Sequence, residues 1–123
     1  MAGWSLSIVD AARPPQYQAR ILISADRRAH DYVFHWLDQF GAAGARVVGI
    51  GTRDKTVLNA TFPYAEGAFR NTWEYHPADR TWTLVIDGQR KDGTWYRFAD
   101  YKMSRATLRS HSGCAPDARK SLR

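Results

Sequence analysis

The sequence has little of what builds several common classes of protein. Its 123 residues include one cysteine, Cys114, so no internal disulfide can form. No stretch approaches the roughly 20 apolar residues of a membrane-spanning helix, and MAGWSLSIVD lacks the basic segment and apolar run of a secretory signal. No amphipathic helical pattern of three turns or more appears in the chain. We therefore expect a cytoplasmic protein with no membrane partner.

Most of the chain also lacks a large excess of either charge. The formal net charge is +6, but residues 105–123 alone hold five basic residues against one acidic residue. Residues 1–104 are nearly balanced, with thirteen basic residues against eleven acidic ones. We predict that residues 1–104 form a single domain and that residues 105–123 form a basic, flexible and disordered tail. A basic tail of this kind is usually solvated, so we do not expect nucleic acid as a partner.

Aromatic residues, by contrast, are plentiful at 13% of the chain, and strands favour them. Four segments in succession between Thr56 and Met103 alternate apolar with polar residues, and turns rich in Pro, Asp and Gly separate them. Such alternation is typical of strands with one face in a core and one in water. Earlier segments show the same pattern. The eight predicted strands begin near residues 4, 17, 31, 45, 56, 68, 81 and 94.

Eight evenly spaced strands joined by turns predict an all-β fold, namely an eight-stranded antiparallel up-and-down barrel. A two-sheet sandwich is the alternative. The segment Asp31–Phe40 is apolar on both strand faces, so a short helix is a second interpretation there. Trp95, Phe98 and Tyr101 recur every third residue, which predicts a β-bulge near Phe98. Glycines at 49 and 51 suit a bend or a close backbone approach within a barrel wall.

Residues 44–105 also resemble a known family. The segments GARVVGIGTRD, TFPYAEGAFRNTWEYHPADRTWTLVID and DGTWYRFADYKMSR are similar to the shared core of small bacterial calycin-like proteins, many of them known only as domains of unknown function. The similarity rests on the dispersed positions Phe62, Tyr64, Gly67, Asn71, Trp73, Trp82 and Trp95. The resemblance implies a lipocalin-like antiparallel barrel, often with an apolar cavity. It carries over no catalytic residues.

Our main functional hypothesis is a barrel that binds a small apolar or aromatic molecule in its lumen. Asn71 and Arg97 share a strand face with aromatic residues, where a polar group either cross-links strands or meets a ligand. A bulge near Phe98 could instead turn Arg97 outward. The residues that we expect to line or rim the lumen are Trp36, Tyr64, Asn71, Trp73 and Arg97.

Two other classes of function stay open. A small barrel enzyme, such as an isomerase, cyclase or hydrolase, would use His35 or Asp38 as its general base. Residues three apart on a strand point to opposite faces, so these two side chains pair only if the segment is bulged or helical. Alternatively, the interior is simply filled, and the protein is a structural module or a homodimer.

The histidines do not suggest a metal site. His30, His35, His76 and His111 are scattered along the chain, whereas zinc needs three or four converging ligands. We therefore expect no metal and no cofactor. The alternative is haem held by a single histidine, as in nitrobindin-like barrels of similar architecture.

Overall fold

The computed structural model describes residues 3–10, 16–105 and 119–122, and these residues are mostly in strands. The strands are β1 (Gly3–Asp10), β2 (Gln18–Asp26), β3 (Asp31–Asp38), β4 (Gly49–Asp54), β5 (Val57–Phe62), β6 (Phe69–His76), β7 (Thr81–Gln89), β8 (Trp95–Arg105) and β9 (Arg119–Leu122). A 3₁₀ turn at Gly44–Arg46 precedes β4. Among the described residues, no helix has the length and apolar character to cross a membrane. The predicted all-β class is confirmed.

The strands follow one another around a barrel. Each of the first eight pairs antiparallel with the next, which gives the predicted up-and-down order. The short strand β9 pairs in parallel with β1 and antiparallel with β8, and this pairing closes the barrel. β9 lies inside the segment that we predicted as a tail. The rest of that segment, at 106–118 and 123, is outside the described residues.

The segment from Asp31 is a strand and not a helix. β3 pairs with β2 along its whole length, from Asp31 opposite Asp26 to Asp38 opposite Ala19. Phe34 is fully buried on its inner face, whereas Leu37 on its outer face is 43% exposed. The apolar residues on both faces therefore reflect an outer surface that keeps some apolar side chains, as many protein surfaces do.

The predicted bulge in β8 is confirmed. Ile86 of β7 stands opposite Ala99, but the next residue, Asp87, stands opposite Arg97, so Phe98 is an extra residue on β8. One extra residue reverses which face the following side chains point to. Ala99 packs against the core, whereas Arg97 is on the outer surface with its side chain 55% exposed.

Apolar side chains fill much of the barrel interior. The buried cluster consists of Ile8, Ile21, Ile23, Phe34, Ala60, Phe62, Trp73, Leu84, Ile86 and Met103. Burying one of the larger aliphatic or aromatic side chains contributes about 1.5–3 kcal/mol, so this cluster is the main source of stability. Asn71 is the exception among the described buried residues, because it is polar and only 3% exposed.

The strands are joined differently at the two ends of the barrel. At one end, which we call the hairpin end, tight turns of two or four residues join β2 to β3, β4 to β5 and β6 to β7. Each of these turns holds a residue other than glycine at positive φ, namely His30 (58°), Lys55 (53°) and Arg80 (58°). At the other end, the loop end, longer connections at 39–48, 63–68 and 90–94 join β3 to β4, β5 to β6 and β7 to β8.

Candidate ligand-binding site

A cavity of about 230 Å³ lies at the loop end of the barrel. The described residues that line it are Tyr17, Trp36, Asp38, Phe62, Tyr64, Phe69, Asn71, Ile86 and Phe98. Most of them stand near the strand ends that meet the long connections. An apolar cavity of about 150 Å³ is known to hold benzene, so this space is large enough for one aromatic ring with a substituent.

Aromatic rings contact one another around the cavity wall. The ring of Tyr64 lies parallel to that of Phe62, at 6.1 Å between centroids, and edge-on to Phe69 at 5.6 Å. Phe69 in turn meets Phe98 edge-on at 5.1 Å, and Trp36 meets Phe62 edge-on at 6.3 Å. Each such pair contributes about 0.5–1.5 kcal/mol beyond the area that it buries. The wall is therefore a continuous aromatic surface whose rings hold one another in place.

A chain of hydrogen bonds at the cavity fixes one carboxylate. Trp36 Nε1 donates to the Tyr17 hydroxyl at 2.9 Å, and the Tyr17 hydroxyl donates to Asp38 Oδ2 at 3.1 Å. The backbone N–H of Phe40 donates to Asp38 Oδ1 at 3.0 Å. Each carboxylate oxygen thus accepts one hydrogen bond from the protein and keeps capacity for another.

The two tyrosine hydroxyls of the cavity are neutral donors at physiological pH. Burial raises the pKa of Tyr17, and the negative charge of Asp38 adds to this effect, although the hydrogen bond from Trp36 opposes it. Burial also raises the pKa of Tyr64, and Asp38 again contributes. Among the described lining residues, Asp38 is thus the one that carries a charge.

Asn71 brings an amide to the cavity. Its backbone sits in regular register on β6, opposite Ala60 on one side and Ile86 on the other. The side chain lines the cavity and has no hydrogen-bond partner among the described residues. The amide is open to the cavity, since it is not among the described side-chain groups that are fully enclosed without a partner. The predicted alternative, that Asn71 cross-links strands through its side chain, finds no such bond in the described part of the barrel.

Three of the five residues predicted for the lumen line this cavity: Trp36, Tyr64 and Asn71. Trp73 lies among the buried core residues, with its ring 6.1 Å from that of Trp36, and it fills the barrel beside the cavity. The indole N–H of Trp73 is buried and has no hydrogen-bond partner among the described residues. Trp73 is therefore interior, as predicted, but it belongs to the core.

The expectation that Arg97 lines or rims the lumen was wrong, whereas the alternative given with it, that a bulge near Phe98 turns Arg97 outward, is confirmed. Its Nε donates to Asp87 Oδ1 at 2.8 Å on the outer surface, and the cavity lining does not include it. The reason is the bulge at Phe98, which reverses the alternation on which the prediction depended. Phe98 takes part in the cavity lining from the bulged position.

The two candidate bases are on opposite faces of β3, as strand geometry requires. Asp38 lines the cavity, whereas His35 stands opposite Leu22, whose side chain is 38% exposed on the outer surface. The described structure therefore offers no His35–Asp38 pair. Sequence reasoning missed Tyr17 as the partner of Asp38, although Tyr17 shares strand parity with the buried Ile21.

The other histidines of the described chain lie away from the cavity. His30 occupies a turn at the hairpin end, and His76 Nε2 is 3.1 Å from the hydroxyl of Thr83. The described residues hold no group of three or more His, Cys, Asp or Glu side chains that converge as metal ligands do. His111 and Cys114 are outside the described residues.

The fold and the site together define an up-and-down β-barrel, antiparallel except where β9 meets β1, with an aromatic-walled cavity at one end. Comparison with known proteins adds nothing to this description, because no family model, no curated protein and no solved structure matches the chain.

Proposed function

We propose that this protein binds a small, largely apolar or aromatic molecule in the cavity at the loop end of its barrel. The observation that carries the proposal is the contrast within one interior. Side chains such as Phe34, Leu84 and Met103 are fully buried in the core, yet no described side chain fills a space of about 230 Å³ beside Trp36 and Asn71. Aromatic walls would supply affinity, and a few fixed polar groups would orient the ligand.

The polar lining supports a binding role over a filled structural barrel. A core that serves only stability gains by placing apolar side chains at every interior position. Here the inner face of β6 presents the amide of Asn71, and the inner face of β3 presents the carboxylate of Asp38. These groups are costly in a core and useful in a binding site. The resemblance to calycin-like proteins, whose barrels often hold an apolar cavity, agrees with this interpretation.

The enzyme alternative depends on Asp38 alone. Proton transfer by an isomerase, cyclase or hydrolase needs a base within reach of the substrate, and Asp38 lines the cavity. His35 is on the outer surface and cannot assist it there. A binding role requires only the cavity and its lining, so it is the better supported of the two.

The test is a thermal-unfolding screen against indole, phenol, benzyl alcohol and short fatty acids, followed by calorimetry with any probe that stabilises the protein. A ligand at about 100 times its Kd stabilises the native state by about 2.7 kcal/mol, which is a shift of several degrees. Ile86→Phe should abolish binding, because it adds bulk to a residue of the cavity lining.

The matched control is Val85→Phe, which makes a similar change at the neighbouring position on the opposite face of β7. This variant should bind as the wild type does. The proposal fails if no probe stabilises the wild-type protein, or if Ile86→Phe and Val85→Phe bind equally well.

A further inference from the structure

We infer that the ligand of this cavity is a cation: a small amine that carries an aromatic or apolar group and binds in its ammonium form. The inference rests on the proposed function and adds the chemical class of the ligand. Three features of the cavity support it, namely the sign of its charge, its hydrogen-bonding capacity and the chemistry of its walls.

The described lining of the cavity carries a negative charge. Asp38 carries the charge of the described lining, and no lysine or arginine is part of that lining. A neutral ligand that covered Asp38 would remove its water without replacing the charge, and an anion would repel it. An ammonium group neutralises the carboxylate instead. Of the three kinds of ligand, a cation therefore gains most from this site.

The hydrogen-bonding groups leave acceptor capacity for a ligand that donates, beside the Tyr64 hydroxyl and the Asn71 amide, which can donate or accept. Asp38 keeps acceptor capacity on both oxygens after its bonds from Tyr17 and Phe40. The Tyr17 proton is directed to Asp38, while its oxygen accepts from Trp36, so this hydroxyl is occupied in both roles. The unpartnered amide of Asn71 offers a further acceptor oxygen. An ammonium group has three N–H donors to meet these acceptors.

The walls suit a cation as well. Six of the nine described lining residues are aromatic, and aromatic faces attract cations within about 6 Å of the ring centre. Outside the cavity, arginine side chains of this chain lie over two aromatic rings. The guanidinium carbon of Arg70 is 4.2 Å from the Trp95 ring centre, and that of Arg90 is 4.9 Å from that of Tyr96. Within the cavity, the described lining includes no Lys or Arg side chain, so we assign the contact with the aromatic faces to a cationic ligand.

The test compares three probes of similar size by calorimetry on the full chain: benzylamine, benzyl alcohol and benzoate. For the wild type we expect benzylamine to bind about tenfold more tightly than benzyl alcohol, and benzoate to bind most weakly. Asp38→Asn removes the charge with little change of volume. It should weaken the binding of benzylamine about tenfold and change the Kd of benzyl alcohol by less than about threefold.

The matched control is Asp100→Asn, which removes a carboxylate that is 72% exposed on the outside of the barrel. It should bind all three probes as the wild type does. A second measurement covers the case in which Asp38→Asn does not fold. Raising the salt concentration from about 20 mM to about 500 mM should weaken the binding of benzylamine to the wild type several-fold and leave the binding of benzyl alcohol unchanged.

The outcomes separate the two proposals. If benzyl alcohol binds the wild type as tightly as benzylamine, or if benzylamine binding resists salt, the cation inference is wrong and the binding function stands. If Asp38→Asn folds and keeps the preference for benzylamine, the inference is also wrong. If none of the three probes binds the wild type, both proposals fail.

Discussion

Replacing Gly49 by alanine tests how tightly the barrel wall packs against the cavity. A Cβ at this position would lie 2.6–2.8 Å from three atoms of the Phe62 ring. Carbon atoms at optimal separation are about 3.5–4.0 Å apart, so the ring would have to withdraw by about 1 Å. Phe62 is only 2% exposed and its ring lies against those of Tyr64 and Trp36, so little space is free for this movement. We expect Gly49→Ala to lower the free energy of unfolding by about 1–3 kcal/mol.

The assay is urea unfolding followed by tryptophan fluorescence, with Gly44→Ala as the control. A Cβ at Gly44 meets nothing within 4 Å, so the same substitution there should be neutral or stabilise by up to about 1 kcal/mol. In a Phe62→Leu background, which gives the ring position a flexible side chain, Gly49→Ala should cost at least about 0.5 kcal/mol less. Equal effects at the two glycines, or strict additivity with Phe62→Leu, would refute the packing argument.

Three further predictions test separate parts of the molecule. Lys55→Gly should raise the free energy of unfolding by about 0.5–1 kcal/mol, because Lys55 has φ 53° in its turn, and this backbone conformation costs more for a residue with a side chain than for glycine; a lower melting temperature would contradict this. Raising the pH above 10 should lower the free energy of unfolding, since the pKa of Tyr17 is raised in the folded state and only the unfolded chain loses that proton. Below pH 10 both states keep the proton, so the effect is absent there, and an alkaline loss as steep in Tyr17→Phe as in the wild type would count against it. Asn71→Leu should change the free energy of unfolding of the free protein by less than about 1 kcal/mol, because the amide is open to the cavity and has no described partner to lose; a loss of more than about 2 kcal/mol would show that the amide is bonded within the protein.

The features that the sequence predicted correctly are local ones. The side chains of a strand alternate with a period of two, so the faces of β3 and β6 follow from their residues alone, and Trp36 and Asn71 were placed inside the barrel on that basis. The bulge at Phe98 is local too, because an aromatic period of three conflicts with a regular strand. Eight such strands in succession then leave few arrangements other than a meander that curls into a barrel.

The features that it did not predict depend on residues far apart in the chain. β9 has the sequence RKSL, which shows no apolar alternation, and its pairing with β1 joins segments from opposite ends of the amino-acid sequence. The sequence left two orientations open for Arg97, and the choice between them depends on where the register of β8 shifts against its partner strand β7. Whether the lumen is hollow depends on the summed volumes of side chains from many strands. Trp36 and Trp73 both point inward, yet only Trp36 lines the cavity.

The chemistry of the cavity argues against an accidental packing defect. A defect in an apolar core is lined by hydrocarbon and gains nothing from a charged neighbour. Here the bond from Trp36 to Tyr17 and the bond from Tyr17 to Asp38 hold a carboxylate in one orientation, and the amide of Asn71 lines the same cavity. Polar groups gathered at one cavity beside an apolar core therefore agree with the proposal that a ligand occupies this site.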